Sequence, residues 1–484
     1  MINVLAVASE VYPFVKTGGL ADVVGALPAA LAAHDVAMRV MMPGYPAVKA
    51  ALGAAPAVHH YAELFGGPAT ILAGRAAGLD LLVVDAPHLF DRPGNPYLGP
   101  DGKEWPDNWR RFAALSLAAA DVGRGAVPSF VPAVVHAHDW QAALAAAYLR
   151  FTYGERARSV VTIHNLAFQG SFPVTIFAGL GLPPEALAIE GIEYYGGIGF
   201  LKGGLHYADA ITTVSPTYAE EICTPGSGMG LDGLLRARRH ILSGIVNGID
   251  TDVWNPATDA ALAATFSSAR LPVRAANKRA VEEAFGLDTH GGALFTVVSR
   301  LTWQKGMDIL AACIDGLVTA GGRLAVLGTG EPAGEGLFHA AVLRHPGRVG
   351  FVTAYDERLA HLLQGGADAI LVPSRFEPCG LTQFYGLRYG CVPVVSRVGG
   401  LADTIIDAND AALSAGVATG LQFSPVGQPE LAHAIGRAMT LHGDAKAWAS
   451  IQRRGMKSDV SWRRSAGRYA AIYRDLSARD GTPT

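Results

Sequence analysis

The strongest constraint on what this chain can fold into is a pattern repeated along its length. A short, continuous apolar run ends in polar or glycine-rich residues, and a helical pattern follows. Runs at 2–8, 36–42, 69–72, 79–84, 134–138, 160–163, 210–214 and 241–246 form one series, and runs at 294–299, 323–327, 348–353, 368–372 and 391–396 form a second. Unbroken apolar runs, as opposed to alternating ones, suit strands covered on both faces. Strands alternating with helices argue for parallel sheets in an α/β fold. Such sheets bind ligands beyond the carboxyl ends of their strands, so the polar residues at those ends carry the functional reading.

The two series flank a stretch dense in turn formers, Asn247-Gly248-Ile249-Asp250 through Pro256. With 484 residues the chain exceeds one ordinary core. The expected organisation is a domain over 1–246, a second over 247–456, and a C-terminal helical segment over 457–484 packing back toward the first. Lys plus Arg number 39 against 42 Asp plus Glu, a net charge of −3, which favours neither nucleic acid nor an anionic membrane as partner. The four cysteines are scattered, with no metal spacing and no secreted disulfide framework. The chain runs directly into a strand without a signal-peptide pattern, and its apolar runs are too short to span a bilayer. A cytoplasmic protein is expected.

In the second series, the run at 368–372 leads into Ser374-Arg375-Phe376-Glu377-Pro378-Cys379-Gly380-Leu381-Thr382-Gln383. Gly380 allows close backbone approach, and the amides of Gly380, Leu381 and Thr382 at a helix entrance suit an anion. A carboxylate beside an anion is costly. Glu377 is therefore expected to contact something uncharged, such as a sugar hydroxyl, which points to a nucleotide sugar. The plainer alternative is a Pro-Gly turn with a solvated glutamate. Arg300 and Lys305 follow the run at 294–299 and fall on the same expected edge, where two cations and a helix N-terminus could hold a diphosphate.

In the first series, Lys16 precedes Gly18 and Gly19 at a helix entrance, a second candidate phosphate site or simply a glycine turn with a surface lysine. It matches neither the dinucleotide nor the P-loop pattern, which counts against a nicotinamide enzyme or P-loop NTPase. Asp139 and His164 close the runs at 134–138 and 160–163. His136 and His138 alternate along a strand with no third ligand nearby, so no metal is expected. Asp250-Thr251-Asp252 resembles a metal-binding D-x-D but lies in a turn-rich linker and reads as structural. The loop at 91–108 carries Tyr97 and Trp105, which could stack on sugars or pin the loop.

Taken together, Lys16-Thr17-Gly18-Gly19-Leu20-Ala21-Asp22-Val23, His136-Ala137-His138-Asp139-Trp140, Thr162-Ile163-His164-Asn165, Ser299-Arg300-Leu301 with Gln304-Lys305-Gly306, and Arg375 to Thr382 resemble the bacterial glycogen synthases, kin to plant starch synthases. The match covers essentially the whole chain, in order. The resemblance implies a GT-B fold, two Rossmann-like domains with parallel sheets facing each other across a cleft that closes over the donor. It implies transfer of glucose from ADP-glucose to the non-reducing 4-hydroxyl of an α-1,4-glucan with retained configuration, and no cofactor or metal. The implied partners are ADP-glucose and glycogen.

Carried over by residue, Lys16, Gly18 and Gly19 would meet the donor phosphates and glucose. Arg300, Lys305 and the amides of Leu381 and Thr382 would hold the diphosphate, with Cys379 and Gly380 in the same loop. Glu377 would bind glucose hydroxyls, and His164 and Asp139 would lie by the glucose from the opposite wall. Tyr355 would pack near adenine and Tyr97 near the acceptor. Tyr385 stands where many retaining relatives carry a second glutamate, a departure that favours this branch over sucrose- or mannose-transferring ones. Cys379, at a helix entrance near cations, could be modification-sensitive, but a catalytic thiol is not expected. Two rival readings are a nucleotide-sugar epimerase, which would turn over donor without glucan, and a glucan-binding protein with a dead site.

Overall fold

A computed structural model describes residues 1–151, 156–289 and 292–478. Its contacts divide the chain into two compact units, Met1–Asn247 with the segment from Trp462 onward, and Gly248–Ser461.

In the first unit the described strands are β1 (Ile2–Val7), β2 (Val36–Pro43), β3 (Ala57–Tyr61), β4 (Ala69–Ala76), β5 (Leu79–Asp85), β6 (Val134–His138), β7 (Arg158–Ile163), β8 (Ser171–Pro173), β9 (Glu193–Tyr194), β10 (Gly197–Gly199), β11 (Ala210–Thr213) and β12 (Leu242–Gly244). The main sheet runs β12-β11-β7-β6-β1-β2-β5-β4-β3, and β8-β10-β9 form a small separate sheet. Val4, Leu5, Ala6 and Val7 of the central β1 are fully buried, as its unbroken apolar run requires.

The sheet is not wholly parallel, because β4 pairs antiparallel with both β5 and β3. Between β4 and β5 only Ala77 and Gly78 intervene, with φ of 48° and 80°. Two left-handed residues make a hairpin turn too short for a helical crossover. β3 carries the sequence Ala-Val-His-His-Tyr on a mostly half-exposed edge, so it lacks the apolar run that marks the buried strands.

The second unit contains β13 (Leu294–Val298), β14 (Arg323–Leu327), β15 (Val349–Val352), β16 (Ala369–Val372), β17 (Val392–Ser396) and β18 (Leu421–Phe423), all parallel, in the order β15-β14-β13-β16-β17-β18. Both sheets therefore reverse their strand order once near the middle, at β1/β6 in the first and at β13/β16 in the second. A crevice opens at such a switch point because the loops leaving the two strands run to opposite sides.

The helix Arg463–Ala478 belongs to the first unit, where Tyr469 and Tyr473 are fully buried and Tyr473 Oη lies 2.8 Å from His136 Nδ1. Residues 479–484 of the expected C-terminal segment lie outside the described residues. Among the described residues no helix is long and apolar enough to cross a membrane.

Candidate active site

The β13/β16 switch point of the second unit brings together the two loops that the sequence singles out. Lys305 Nζ lies 2.5 Å from Glu377 Oε2, and Ser374 Oγ donates to the same oxygen at 2.9 Å. Glu377 is buried and Lys305 is half-buried, so the pair has little water to screen it. The lysine is the charged partner of Glu377 and lies across the switch point, 72 residues away in sequence. The same loops are laced by Arg375, which pairs with Asp308 at 2.7 Å, donates to Trp303 O, and lies 4.4 Å over the Trp303 ring. Gly306, at φ 69°, could not carry a side chain, because a Cβ there would collide with the carbonyl of Pro373. Arg300, the second residue past β13, is exposed and has no ion-pair partner among the described residues.

The helix Thr382–Tyr389 begins at the far side of this loop, behind Gly380 at φ 74°. A residue not singled out from sequence sets the loop's orientation. Gln383 is fully buried, and its Nε2 donates to Cys379 O at 2.9 Å and Gly380 O at 3.0 Å. In a trans peptide the C=O and N–H point opposite ways. Holding those two carbonyls inward turns the amides of Gly380 and Leu381 outward. Cys379 is only 4% exposed, which counts against a modification-sensitive thiol there. Its part in the loop is its backbone. Tyr355, beyond β15, is 77% exposed. Tyr385 stacks on Trp254 with ring centroids 3.6 Å apart and so packs the 248–256 segment. Asp250 Oδ1 caps the amides of Asp252 and Val253, consistent with a structural D-x-D, and no described cluster of three His, Cys, Asp or Glu could hold a metal.

At the β1/β6 switch point of the first unit the organising group is Glu10, another residue that sequence reading passed over. It is buried, and its carboxylate accepts from the Thr17 amide, from Thr17 Oγ1 at 2.6 Å and from Tyr97 Oη. Tyr97 Oη also lies 2.8 Å from Ser9 Oγ. Burial, then Glu10, push the Tyr97 phenol well above its ordinary range, so it is a permanent donor. Tyr97 thus sits at the switch point, while Trp105 of the same loop stacks under Arg92 and pins it. Lys16 pairs with Asp22 at 2.8 Å. The Lys16-Thr17 corner is therefore fixed from both sides ahead of the helix Gly19–Ala32. A Cβ on Gly18 would meet nothing within 4 Å, and its φ of −155° suits any residue, so nothing inside the unit demands glycine there.

Asp139, at φ 56°, opens the helix Asp139–Arg150 and accepts from the His164 amide at 2.7 Å and the Asn165 amide at 3.4 Å. Burial pushes its carboxyl up to about 7, against the pull of those amides. His164 Nε2 lies 2.9 Å from His138 Nδ1, His138 stacks on His136 at 4.1 Å, and His136 Nε2 lies 2.5 Å from Thr162 Oγ1. Burial holds His136 and His164 down to about 3, and His138 well below its ordinary value. These histidines are neutral hydrogen-bonding groups.

Comparison with known proteins identifies the family. A family described as the starch synthase catalytic domain matches residues 3–237, and one described as glycosyl transferases group 1 matches 292–440. Glycogen synthase from Mesorhizobium japonicum is 58% identical over 478 residues, spanning 99% of each chain. Glycogen synthase from Novosphingobium aromaticivorans is 58% identical over 482 residues, again 99% of each. Among solved structures, the catalytic domain of Starch Synthase IV from Arabidopsis thaliana bound to ADP and acarbose aligns with a TM-score of 0.88 at 29% identity, covering 99% of this chain and 100% of that one. Sucrose-phosphate synthase from Thermosynechococcus elongatus, at 18% identity and a TM-score of 0.61, shares the fold.

Proposed function

Because this chain belongs to the glycogen synthase family and so lengthens an α-1,4-glucan with glucose from ADP-glucose, we propose that the loops at its two switch points divide that reaction between them. The second unit's loops hold the donor diphosphate. Arg300 and Lys305 supply positive charge, and the amides turned outward by Gln383 supply oriented donors. Glu377 holds glucose hydroxyls once the diphosphate draws Lys305 away. Tyr355 offers an open ring face to adenine. The first unit's loops serve the sugar. Lys16 and the open backbone at Gly18 and Gly19 approach the donor, Asp139 and His164 hydrogen-bond glucose, and Tyr97 faces the acceptor.

Transfer with retention fits these parts. As the β-phosphate leaves, negative charge grows on it, and fixed cations and amides stabilise that charge in the transition state more than in the bound donor. The acceptor 4-hydroxyl attacks from the face the phosphate leaves: the bond from glucose C1 to the phosphate oxygen breaks, the bond from C1 to the 4-oxygen forms, and the hydroxyl proton passes to the departing phosphate. The observation that carries this reading is the meeting of Lys305 and Glu377 at a switch point, with Gly306 and Gly380 making the close approach possible.

The homologous starch synthase was obtained with ADP and acarbose, which supports ADP and glucan-like chains as partners here. A cytoplasmic setting belongs to the same proposal, since Cys223, Cys313, Cys379 and Cys391 are all free thiols. The test is incorporation of labelled glucose into glycogen from ADP-glucose and UDP-glucose in parallel, with wild type and Arg300→Ala. The expected result is a strong preference for the adenine donor and a large loss in the variant. Full activity in Arg300→Ala would remove Arg300 from the donor site.

A further inference from the structure

We infer that His138 is a positioning residue for the transfer: it donates its Nδ1 proton to His164 Nε2, which leaves the proton of His164 on Nδ1 and makes that ring a fixed hydrogen-bond donor toward the sugar. This rests on the reading above that sets His164 beside the donor glucose. His138 is fully buried on β6, out of reach of any ligand, and acts through His164.

His136 and His138 lie two residues apart on one face of the strand, with ring centroids 4.1 Å apart. They are satisfied differently. His136 has a hydroxyl at each nitrogen, Tyr473 Oη 2.8 Å from Nδ1 and Thr162 Oγ1 2.5 Å from Nε2. A hydroxyl gives or accepts, so either tautomer of His136 is satisfied. The hydrogen-bond partner of His138 is instead another imidazole, with its Nδ1 2.9 Å from His164 Nε2. Its own Nε2 is buried and has no partner among the described residues.

Burial keeps both rings of this pair neutral. Each then carries one N–H, and the contact between them holds a single proton. Two arrangements are open. If His164 donates, the proton of His138 sits on Nε2, a buried N–H with nothing to bond. If His138 donates, what is left at its Nε2 is a lone pair. Buried N–H groups without an acceptor are rarer in proteins than acceptors left unused, so burial selects the second arrangement. That choice fixes His164 in turn. Its ring is half-buried, its backbone amide is held by Asp139 Oδ1 at 2.7 Å, and its Nδ1 has no partner among the described residues. Carrying the proton, Nδ1 offers a donor and no acceptor. It suits a sugar oxygen with a free lone pair. The second nitrogen of a histidine commonly sets the role of the first in this way.

The test reads the ring protons directly. Long-range proton–nitrogen correlation NMR on wild type with isotope-labelled histidine, assigned with His138→Asn and His164→Asn, reports which nitrogen of each ring is protonated. The expected result at neutral pH is a proton on Nδ1 of both His138 and His164, with the His164 signals shifting when ADP-glucose is added. A proton on Nε2 of either ring would overturn the proposal, and this needs no variant to be active. Turnover gives a second readout. Asn places an amide nitrogen near the position of Nδ1 and keeps a donor, whereas Phe keeps a ring and has none. His138→Phe should lower kcat about tenfold with KM for glycogen unchanged, and His138→Asn should stay within about threefold of wild type. A full rate in His138→Phe would overturn the positioning role. So would equal losses in both variants that track a lower unfolding temperature, the mark of a structural residue. Failure of the underlying reading looks different: the protons lie as stated, but the His164 signals ignore ADP-glucose, and His138 then has no part in the transfer.

Discussion

At the β13/β16 switch of the second unit charges pair across loops, half-buried Lys305 with buried Glu377 and Arg375 with Asp308. At the β1/β6 switch of the first unit the histidines and Asp139 behind the candidate sugar site are largely discharged, although the Lys16–Asp22 ion pair lies at the same edge. The histidines are held neutral and Asp139 is held toward its protonated form. One topology thus carries two electrostatic designs. On the proposed reading, the edge that receives the diphosphate holds its cation against a carboxylate that the ligand has to displace. A loop edge that must receive hydroxyls needs donors and acceptors whose state does not depend on what is bound.

The largest expected effect breaks the charged side of this comparison. Lys305→Ala should lower kcat by about 10²–10³, the usual range for removing one stabiliser of a leaving anion, and single-turnover transfer to glycogen would measure it. Glu377→Gln sharpens the point, because it removes the negative partner that neutralises Lys305. It should bind ADP more tightly than wild type by calorimetry while transferring glucose far more slowly. Weaker ADP binding in Glu377→Gln would show that the carboxylate does not compete for the lysine.

In the first unit the corresponding residue is Glu10, which fixes the Lys16-Thr17 corner through Thr17. Glu10→Gln retains volume but places an amide donor where three donors already converge, so Thr17 and Tyr97 should separate. A loop misplaced by about 1 Å can cost up to about 10²-fold in rate, and a fall of about 10-fold in kcat/KM for transfer is expected. A merely structural role would lower the unfolding temperature without this loss. Transfer at full rate in a protein with normal ADP affinity would dismiss Glu10 as a positioning group.

The two sites were unequally legible for a physical reason. In the second unit the motif residues are local: Arg300, Lys305 and Gly306 share one loop, and Glu377 and Gly380 another. The flanking strand Arg323–Leu327 followed from its local apolar run alone. The pairing of Lys305 with Glu377 was not local, and reasoning about an anion beside a carboxylate led instead to a sugar hydroxyl as the partner. In the first unit Glu10 lacked any signature, because its two partners lie 7 and 87 residues away. Gln383 was hidden differently: an amide in a helix's first turn reads as surface until its burial against two carbonyls is known. The edge strand β3 escaped because a half-exposed strand has no unbroken apolar run, whereas β4 and β5 were legible as runs and only their antiparallel pairing escaped, although Gly78 between them was an available turn signal.

The smallest expected effect concerns stability, and it separates the units by pH. Folded His136 and His164 take up protons only near 3, whereas their unfolded forms do so near 6.5. Their contribution is complete above 6.5 and is lost as pH falls from there toward 3. Asp139 has the opposite sign. It keeps its proton up to about 7 when folded and releases it near 3.8 when unfolded, so its contribution is complete below 3.8 and is lost as pH rises through 7. In the second unit burial pushes Asp368 up, but His442, Lys278 and the Leu294 amide outweigh it and hold the carboxyl below its ordinary value of 3.8. That contribution survives until pH falls below 3.8. Between about pH 6 and 4 the first unit should therefore weaken while the second does not. Hydrogen exchange read by mass spectrometry should show β6 and β7 losing protection in this window while β13 and β16 retain it; simultaneous loss in both sheets would contradict the contrast. Asp139→Asn keeps an acceptor for the His164 amide and removes the ionisation. It should stabilise the first unit at pH 8 by on the order of 1–4 kcal/mol and leave it unchanged at pH 4, since each pKa unit is worth about 1.4 kcal/mol.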